Sequence, residues 1–485
     1  MKKIFSNICM LALMTVAGVT FVSCEKDYKP VSGQFTMNVE ASMPSDGGTK
    51  QLTLDGTGLH ATWAAGEQVK VYKGSNPLGT LTPQNISNDG RSCRLSGTLT
   101  GTIAVDDELT LKFNENPNYS SQDGTLAYIA AHCDYAVATV TVSGISGGNI
   151  RTAAAANFVN QQAIVKFTLK NTSDAAISVT PLKVSDGTHT YTVTPTSATS
   201  DIYVAIPGFS GQTVSMVATA GGTNYDYIKS DVSFSNGQYY EITVKMNQVL
   251  AMASATTCSV GKVIATDSKL YSHVRTAELA GATASGIVAY VGTAGSVEEG
   301  NSTYKGIAIS LGEIADPSNK FYCSNHADCN GEGYSFSDAL NLKNGIAATT
   351  LAVSNNASHS NSHHAAVNSR NYSTARPAGA SEWSLPSLGQ WNMIAKGLTE
   401  SNTDLSTTPN STFSYANIRS KVAAAGGWGF TWSMYWSTTQ CAGFENAEKY
   451  NWVANFGNGS GNVNAQIKDN SINHYNIFIR PFFAF

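Results

Sequence analysis

The chain has 485 residues, 13% of them charged, and a formal net charge of −4 at pH 7. That length suits about two to four domains. With no basic stripe and no acidic or basic tail, the near-balanced charge excludes nucleic acid as a partner and recruitment by bulk electrostatics. Gly, Ser, Thr, Asn and Ala are abundant, as in exported β proteins with long polar loops.

The chain opens with Lys2 and Lys3, an apolar run from Ile8 to Val22, and Ser23 before Cys24. The run is too short to cross a bilayer and reads as a signal peptide over 1–23. Phe-Val-Ser-Cys (21–24) resembles the lipobox of bacterial lipoproteins, which implies that Cys24 carries the lipid. A plain signal peptide cut nearby is the alternative. Glu25-Lys26-Asp27 resembles the acidic signal that sends Bacteroides-type lipoproteins to the outer face of the cell outer membrane. That resemblance implies a lipid-anchored, surface-exposed protein held by acyl chains. Beyond Cys9 and Cys24 six cysteines remain. An oxidising compartment allows the pairs Cys93–Cys133 and Cys323–Cys329, with Cys258 and Cys441 left over, or buried free thiols instead.

From Gln34 to Met246 the hydrophobic period is two. Phe35, Met37 and Val39 alternate with polar residues, as do Val69 and Val71. Ala163–Leu169, Ile202–Ile206, Val214–Val217 and Tyr240–Met246 repeat the pattern, separated by turn signals such as Ser-Asp-Gly and Asn-Asp-Gly. Short strands at regular spacing predict two β-sandwiches, over 24–155 and 156–247. Within them, Ala-Thr-Trp-Ala-Ala-Gly-Glu-Gln-Val-Lys-Val-Tyr (61–72), Asp-Asp-Glu-Leu-Thr-Leu (106–111), Gln-Gln-Ala-Ile-Val-Lys-Phe-Thr-Leu (161–169), Tyr-Val-Ala-Ile-Pro (203–207) and Tyr-Tyr-Glu-Ile-Thr-Val (239–244) resemble the fimbrillin family of Bacteroidetes. The resemblance implies two transthyretin-like sandwiches and a place in a pilus, or fimbrium, assembled with other fimbrial subunits by strand donation. In that family an early strand is released by cleavage after an arginine. The first arginine here is Arg91, so either another protease acts or the first strand stays in place, the second favouring an anchor or free-standing role over a shaft subunit.

A linker at 248–257 leads into 258–485, where six of the seven tryptophans lie. Gly286–Gly292 and Tyr304–Leu311 predict strands. Phe336, Ala339, Leu340 and Lys343 predict a helix stopped by Gly345. Ser387 with Gln390 forms a capping-box pattern, followed by Leu388, Trp391, Ile394 and Leu398 on one helical face. Tyr415, Ile418 and Val422 mark a third helix ended by Gly426-Gly427. Strands are expected at Thr431–Thr438, Asn451–Phe456, Val463–Lys468 and Tyr475–Phe485, the last internal to the unit. Ile-Val-Ala-Tyr-Val-Gly (287–292), Trp-Ser-Leu-Pro-Ser-Leu-Gly-Gln-Trp (383–391), Tyr-Trp-Ser-Thr-Thr (435–439) and Ile-Arg-Pro-Phe-Phe-Ala-Phe (479–485) resemble the C-type-lectin-like domains of Fibrobacter and Bacteroides surface proteins. Fold class is therefore mainly β, with an α+β C-terminal unit.

Calcium-dependent lectins of that fold carry Glu-Pro-Asn or Gln-Pro-Asp and a later Trp-Asn-Asp, because Ca²⁺ takes six to eight oxygen ligands. Glu445-Asn446, Glu448 and Asn451-Trp452-Val453 occupy the matching stretch without the proline or the aspartate, so no metal or other cofactor is expected. A metal-free ligand surface is drawn from Glu445, Asn446, Glu448, Tyr450, Asn458 and Asn462, where an aromatic face beside amides and carboxylates suits a glycan or a host or bacterial surface protein. Trp383, Trp391, Trp436 and Trp452 read as core. His359, His363 and His364 fall in a polar loop and read as solvated, and His326 lies between Cys323 and Cys329 without a ligand set. Formylglycine-generating enzymes share the broad fold but need a reactive cysteine pair near the C-terminus. Cys441 stands alone there, so no enzyme is expected. The expectation is adhesion or ligand capture, at a fimbrial tip or as an accessory component, with a free-standing glycan-binding lipoprotein as the alternative.

Overall fold

The structure is a computed structural model that describes residues 30–43, 53–55, 58–60, 62–315, 333–355, 364–400, 413–414, 416–428, 430, 434–442, 450–456, 460–467 and 477–485. The chain is mainly β. No described helix is long and apolar enough to cross a membrane.

Side chains of a strand alternate between its two faces, so a period-two sequence buries every second residue. Val31–Ser42 does so, with Phe35, Met37, Val39 and Ala41 in the core. This strand pairs antiparallel with Ser92–Ile103 along its whole length. The nine-stranded sheet folds over on itself: Asn149–Thr152 pairs with both Val31–Ser42 and Ala136–Ser146, so the sheet encloses one core. Trp63 sits in that core, edge-on to Phe113 and Phe158 at 6.0 and 5.4 Å. Ala156–Asn157 and Val159–Asn160 still pair with this sheet, and the second core begins at Ala163.

The second unit is an eight-stranded sheet in which Ala163–Asn171 lies between Asp201–Ile206 and Tyr239–Gln248. The strands read from the sequence at 163–169, 202–206, 214–217 and 240–246 are all present. One segment crosses from the first half of the chain. Ser121–Gln122 pairs with Thr190–Val193, and helix α1 (Leu126–His132) packs Ile129 and Cys133 against Ile164 and Ala205. The Gln122 side chain extends the pairing, donating to Ala205 O and accepting from Ala205 N–H, both at 2.9 Å.

Among its described residues the remaining chain builds two six-stranded sheets with six α-helices: α2 (Val274–Leu279), α3 (Phe336–Ala339), α4 (Gly345–Asn355), α5 (His364–Arg370), α6 (Leu388–Thr399) and α7 (Ala416–Ala424). The stretch expected as a linker is built into this unit: Val249 is buried in its core and Leu250–Ala251 forms an edge strand against Lys269–Tyr271. Gly345 does not stop a helix. It opens α4, because a Cβ there would lie 2.2 Å from Gln390 Oε1 and 2.7 Å from Leu385 O, so only glycine lets the chain pass. Strand Phe482–Ala484, expected to be internal, lies at the end of its sheet, paired with Gly306–Ser310 on one side and covered on the other by a single bridge from Phe482 to Ser384.

Candidate recognition surface

The tryptophan-rich motifs form the scaffold on which any surface of the third unit rests. Ser387 caps α6 as its sequence predicts: its Oγ accepts from Gln390 N–H at 3.3 Å, and Gln390 Oε1 accepts from Ser387 N–H at 3.0 Å. The cap aims Trp391 into the core, where its Nε1 donates to Trp436 O at 3.0 Å. Phe430, Tyr435 and Phe456 surround it with centroids 5.6–6.2 Å away. Trp383 packs edge-on to Tyr372 and Phe483 and donates to Thr374 O at 2.7 Å. Trp383, Trp391, Trp436 and Trp452 are all at most 3% exposed, so they are core.

Trp428 differs, being 76% exposed. Its backbone is held on both sides. Trp428 N–H donates to Leu311 O at 2.8 Å, and Arg480 Nη2 donates to Trp428 O at 3.0 Å and to Leu311 O at 3.3 Å. Arg480 is fully buried, with its guanidinium 4.9 Å over the Phe430 ring. Burial lowers its pKa, opposed by the nearby Tyr435 and Glu313. The Tyr435 hydroxyl donates to Glu313 Oε2. A rigid mount under an exposed indole suits stacking against the apolar face of a ligand.

Of the six residues expected at the ligand surface, Glu445, Asn446, Glu448 and Asn458 lie outside the described residues. Tyr450 begins strand Tyr450–Asn455 and is half-buried, packed against the main core, and Asn462 lies within strand Ser460–Ile467. Asn451, from the calcium-like stretch, is fully buried and donates to Ser437 O at 2.9 Å. Among the described residues no three His, Cys, Asp or Glu side chains converge as metal ligands. Cys24, Cys323, Cys329, His326, His359 and His363 lie outside the described residues, and His364 is the first residue of α5.

The pairing Cys93–Cys133 is corrected. Both are free, buried thiols in separate cores, Cys93 on Ser92–Ile103 in the first unit and Cys133 at the end of α1 against the second. Cys133 Sγ donates to Asn118 O at 3.1 Å. Burial pushes both thiols up to about 12, so they stay protonated and unreactive. Cys258 is exposed, with a free thiol, and Cys441 is buried.

Sequence reasoning passed over Trp428 because periodicity ranks aromatic residues by helical or strand face, and this one belongs to neither. Its signal is local: it stands in Gly426-Gly427-Trp428-Gly429, where glycines flank a bulky ring that no element buries.

The chain is thus a three-unit, mainly β protein whose last unit carries a mounted aromatic ring. No protein-family model and no curated protein matches it. Among solved structures, a fimbrial protein from Bacteroides ovatus is 12% identical over 94% of this chain and 100% of that chain, with a TM-score of 0.30. A fimbrial assembly protein from Parabacteroides distasonis is 13% identical over 46% of this chain and 96% of that chain, with a TM-score of 0.26. The C-terminally truncated tip fimbrial protein from Porphyromonas gingivalis is 8% identical over 44% and 95%, with a TM-score of 0.25. Likeness at these scores assigns no role to any residue here.

Proposed function

We propose that this chain is a surface adhesin: two fimbrillin-like β units act as a stalk, lipid-anchored through Cys24, and a C-type-lectin-like unit presents Trp428 to a glycan or a surface protein. The observation that carries the reading is the Trp428 ring, exposed on a backbone clamped by Leu311 and Arg480. An aromatic so placed loses little conformational freedom on binding. Testing it takes a glycan array probed with the whole mature chain and its W428A variant, each with and without EDTA. Glycan binding that W428A abolishes and EDTA leaves intact is the expected result. Binding to host proteins alone, with no glycan retained, sinks the lectin reading.

A role at a fimbrial tip or as an accessory component fits the first strand. Releasing Val31–Ser42 for strand exchange would break its full-length pairing and uncover Phe35, Met37, Val39 and Ala41. That same observation favours, as a second reading, a free-standing glycan-binding lipoprotein outside the pilus. Incorporation into purified fimbriae separates the two, since a strictly monomeric surface protein belongs to the second.

A further inference from the structure

We infer that the cleft between the second β unit and helix α2 is a binding site for a sugar acid, a hydroxylated ring carrying a carboxylate. The cleft has a volume of about 420 Å³, within the range of about 300–1,000 Å³ usual for small-ligand sites. One wall is the strands Leu182–Ser185, Thr190–Val193 and Phe209–Ala220, and the other is α2. The site lies far along the chain from Trp428 and does not depend on the adhesion reading.

The lining chemistry selects the ligand. Lys183 and Arg275 face the cleft from opposite walls, against a single carboxylate, Glu278. Arg275 has no side-chain partner among the described residues, and Lys183 makes only a long 3.4 Å bond to Leu279 O. Gly187 makes room for the guanidinium: its φ is +92°, and a Cβ there would stand 3.2 Å from Arg275 Nη1. Between the cations lie the hydroxyls of Thr190, Thr192 and Ser215, none of them hydrogen-bonded to a described residue. Ser215 is 2% exposed, and its hydroxyl stands at the cleft with no hydrogen-bond partner among the described residues, so a ligand hydroxyl can pair with it. A carboxylate between Lys183 and Arg275 satisfies the cations, and ring hydroxyls satisfy the Thr, Ser and Glu278 groups, which accept and donate as sugars do. A bare phosphate would leave the hydroxyls unused and meet repulsion from Glu278. A fatty acid would find too little apolar wall. A second cavity of about 170 Å³ adjoins across Lys183, lined by Asn224, Tyr225 and Tyr271, and offers a place for the next ring of a chain.

The walls are held in register. The buried Asp226 carboxylate accepts from Ser272 N–H at 2.5 Å, Ser272 Oγ at 2.7 Å and Thr276 Oγ1 at 2.8 Å, fixing α2 against the second unit. The site is therefore formed before the ligand arrives.

Calorimetric titration of the whole mature chain at low salt tests the inference, using glucuronate, N-acetylneuraminate, glucose and inorganic phosphate as probes. One or both sugar acids should bind with Kd of about 1 mM or tighter, and R275A or K183A should weaken that binding about tenfold or more. T192V, which keeps both charges and the side-chain shape, should weaken it by a smaller factor with Tm unchanged. W428A should leave it intact, so failure here and failure of the lectin reading are distinguishable. No heat from either acid overturns the inference. So does glucose or phosphate binding as tightly as the acids, or R275A and K183A variants that are folded and bind as before.

Discussion

Ser387 is fully buried and makes three polar contacts at once. Its Oγ accepts from Gln390 N–H and donates to Leu342 O at 2.5 Å, while its own N–H is taken by Gln390 Oε1. Replacing it by alanine removes the cap of α6 and leaves a buried carbonyl without its donor. S387A should cost about 1–2 kcal/mol, read as a fall in the urea midpoint with the slope unchanged. A smaller loss than that of an exposed cap elsewhere in the chain would contradict the geometry. The reciprocal bonds span four residues, so the motif was legible in the sequence. Trp383, Trp391, Trp436 and Trp452 were read correctly as core from their places in motifs that resemble a lectin-like fold, not from apolar neighbours, since each has at least one polar neighbour. Trp428 was not read at all, because an exposed mounting depends on Leu311 and Arg480, which are distant in sequence.

Helix α4 shows why some elements stay hidden. Its sequence, Gly-Ile-Ala-Ala-Thr-Thr-Leu-Ala-Val-Ser-Asn, has no apolar stripe and no local cap. The cap comes from Glu298, whose Oε1 accepts from Ile346 and Ala347 N–H, both at 3.1 Å, while Oε2 accepts from Gln390 Nε2 at 2.6 Å. Helices α1 and α5 were likewise unread; both are single short segments of seven residues, with too few turns to establish a period. Strands fared better, since a period of two declares itself within five or six residues. The distant cap also makes α4 sensitive to pH. Burial pushes Glu298 up to about 7 from an ordinary value of 4.5, against the lowering effect of the Ala347, Ile346 and Gln390 bonds. Between those two values the folded chain keeps a proton that the unfolded chain has released. Its stabilising contribution is complete below about pH 4.5 and is lost as pH rises through about 7, a change on the order of 3 kcal/mol. Urea midpoints taken at about pH 5 and about pH 8 should fall more steeply with pH for the native chain than for E298Q. Parallel curves for the two would show that Glu298 is not the group responsible. The comparison rests on slopes, because the new amide faces Gln390 Nε2 and lowers stability at every pH.

At the scale of the molecule, the sequence marked where composition changes and could not show how the units are joined. Contiguous boundaries at 155 and 247 follow from local pattern, whereas the joints are made by residues far apart. Ser121–Gln122 and α1 leave the first half of the chain to complete the second unit, and Gln162 Nε2 returns the contact by donating to Asp134 Oδ1 at 3.0 Å. The second and third units meet at Asp226. Its carboxylate is 1% exposed, and burial raises its pKa against the bonds from Ser272 and Thr276. Among the described residues no cation forms an ion pair with it; hydrogen bonds hold it, helped by the charge of Lys262 and supplemented by Asn247 Nδ2 donating to Ser272 Oγ at 3.2 Å. Removing the carboxylate leaves the part-buried Ser272 N–H and Ser272 hydroxyl short of an acceptor, at about 1–3 kcal/mol for each group left unsatisfied, whereas the Thr276 hydroxyl keeps His273 O at 2.8 Å. D226A should therefore split a shared thermal transition into two and open 248–257 to limited proteolysis, while D226N, which keeps one acceptor oxygen, should fall between the two chains. The loss should be felt in the third unit, because Val249, Tyr271 and Ala277 beside the joint belong to the same core as Trp391. A single transition at the native Tm, with 248–257 still resistant, would mean that Val249 and the Leu250–Ala251 strand hold the joint without Asp226. A stalk that presents a ligand surface under shear needs such a joint to be stiff, since a hinge there would let the surface turn away from its target before the bond forms.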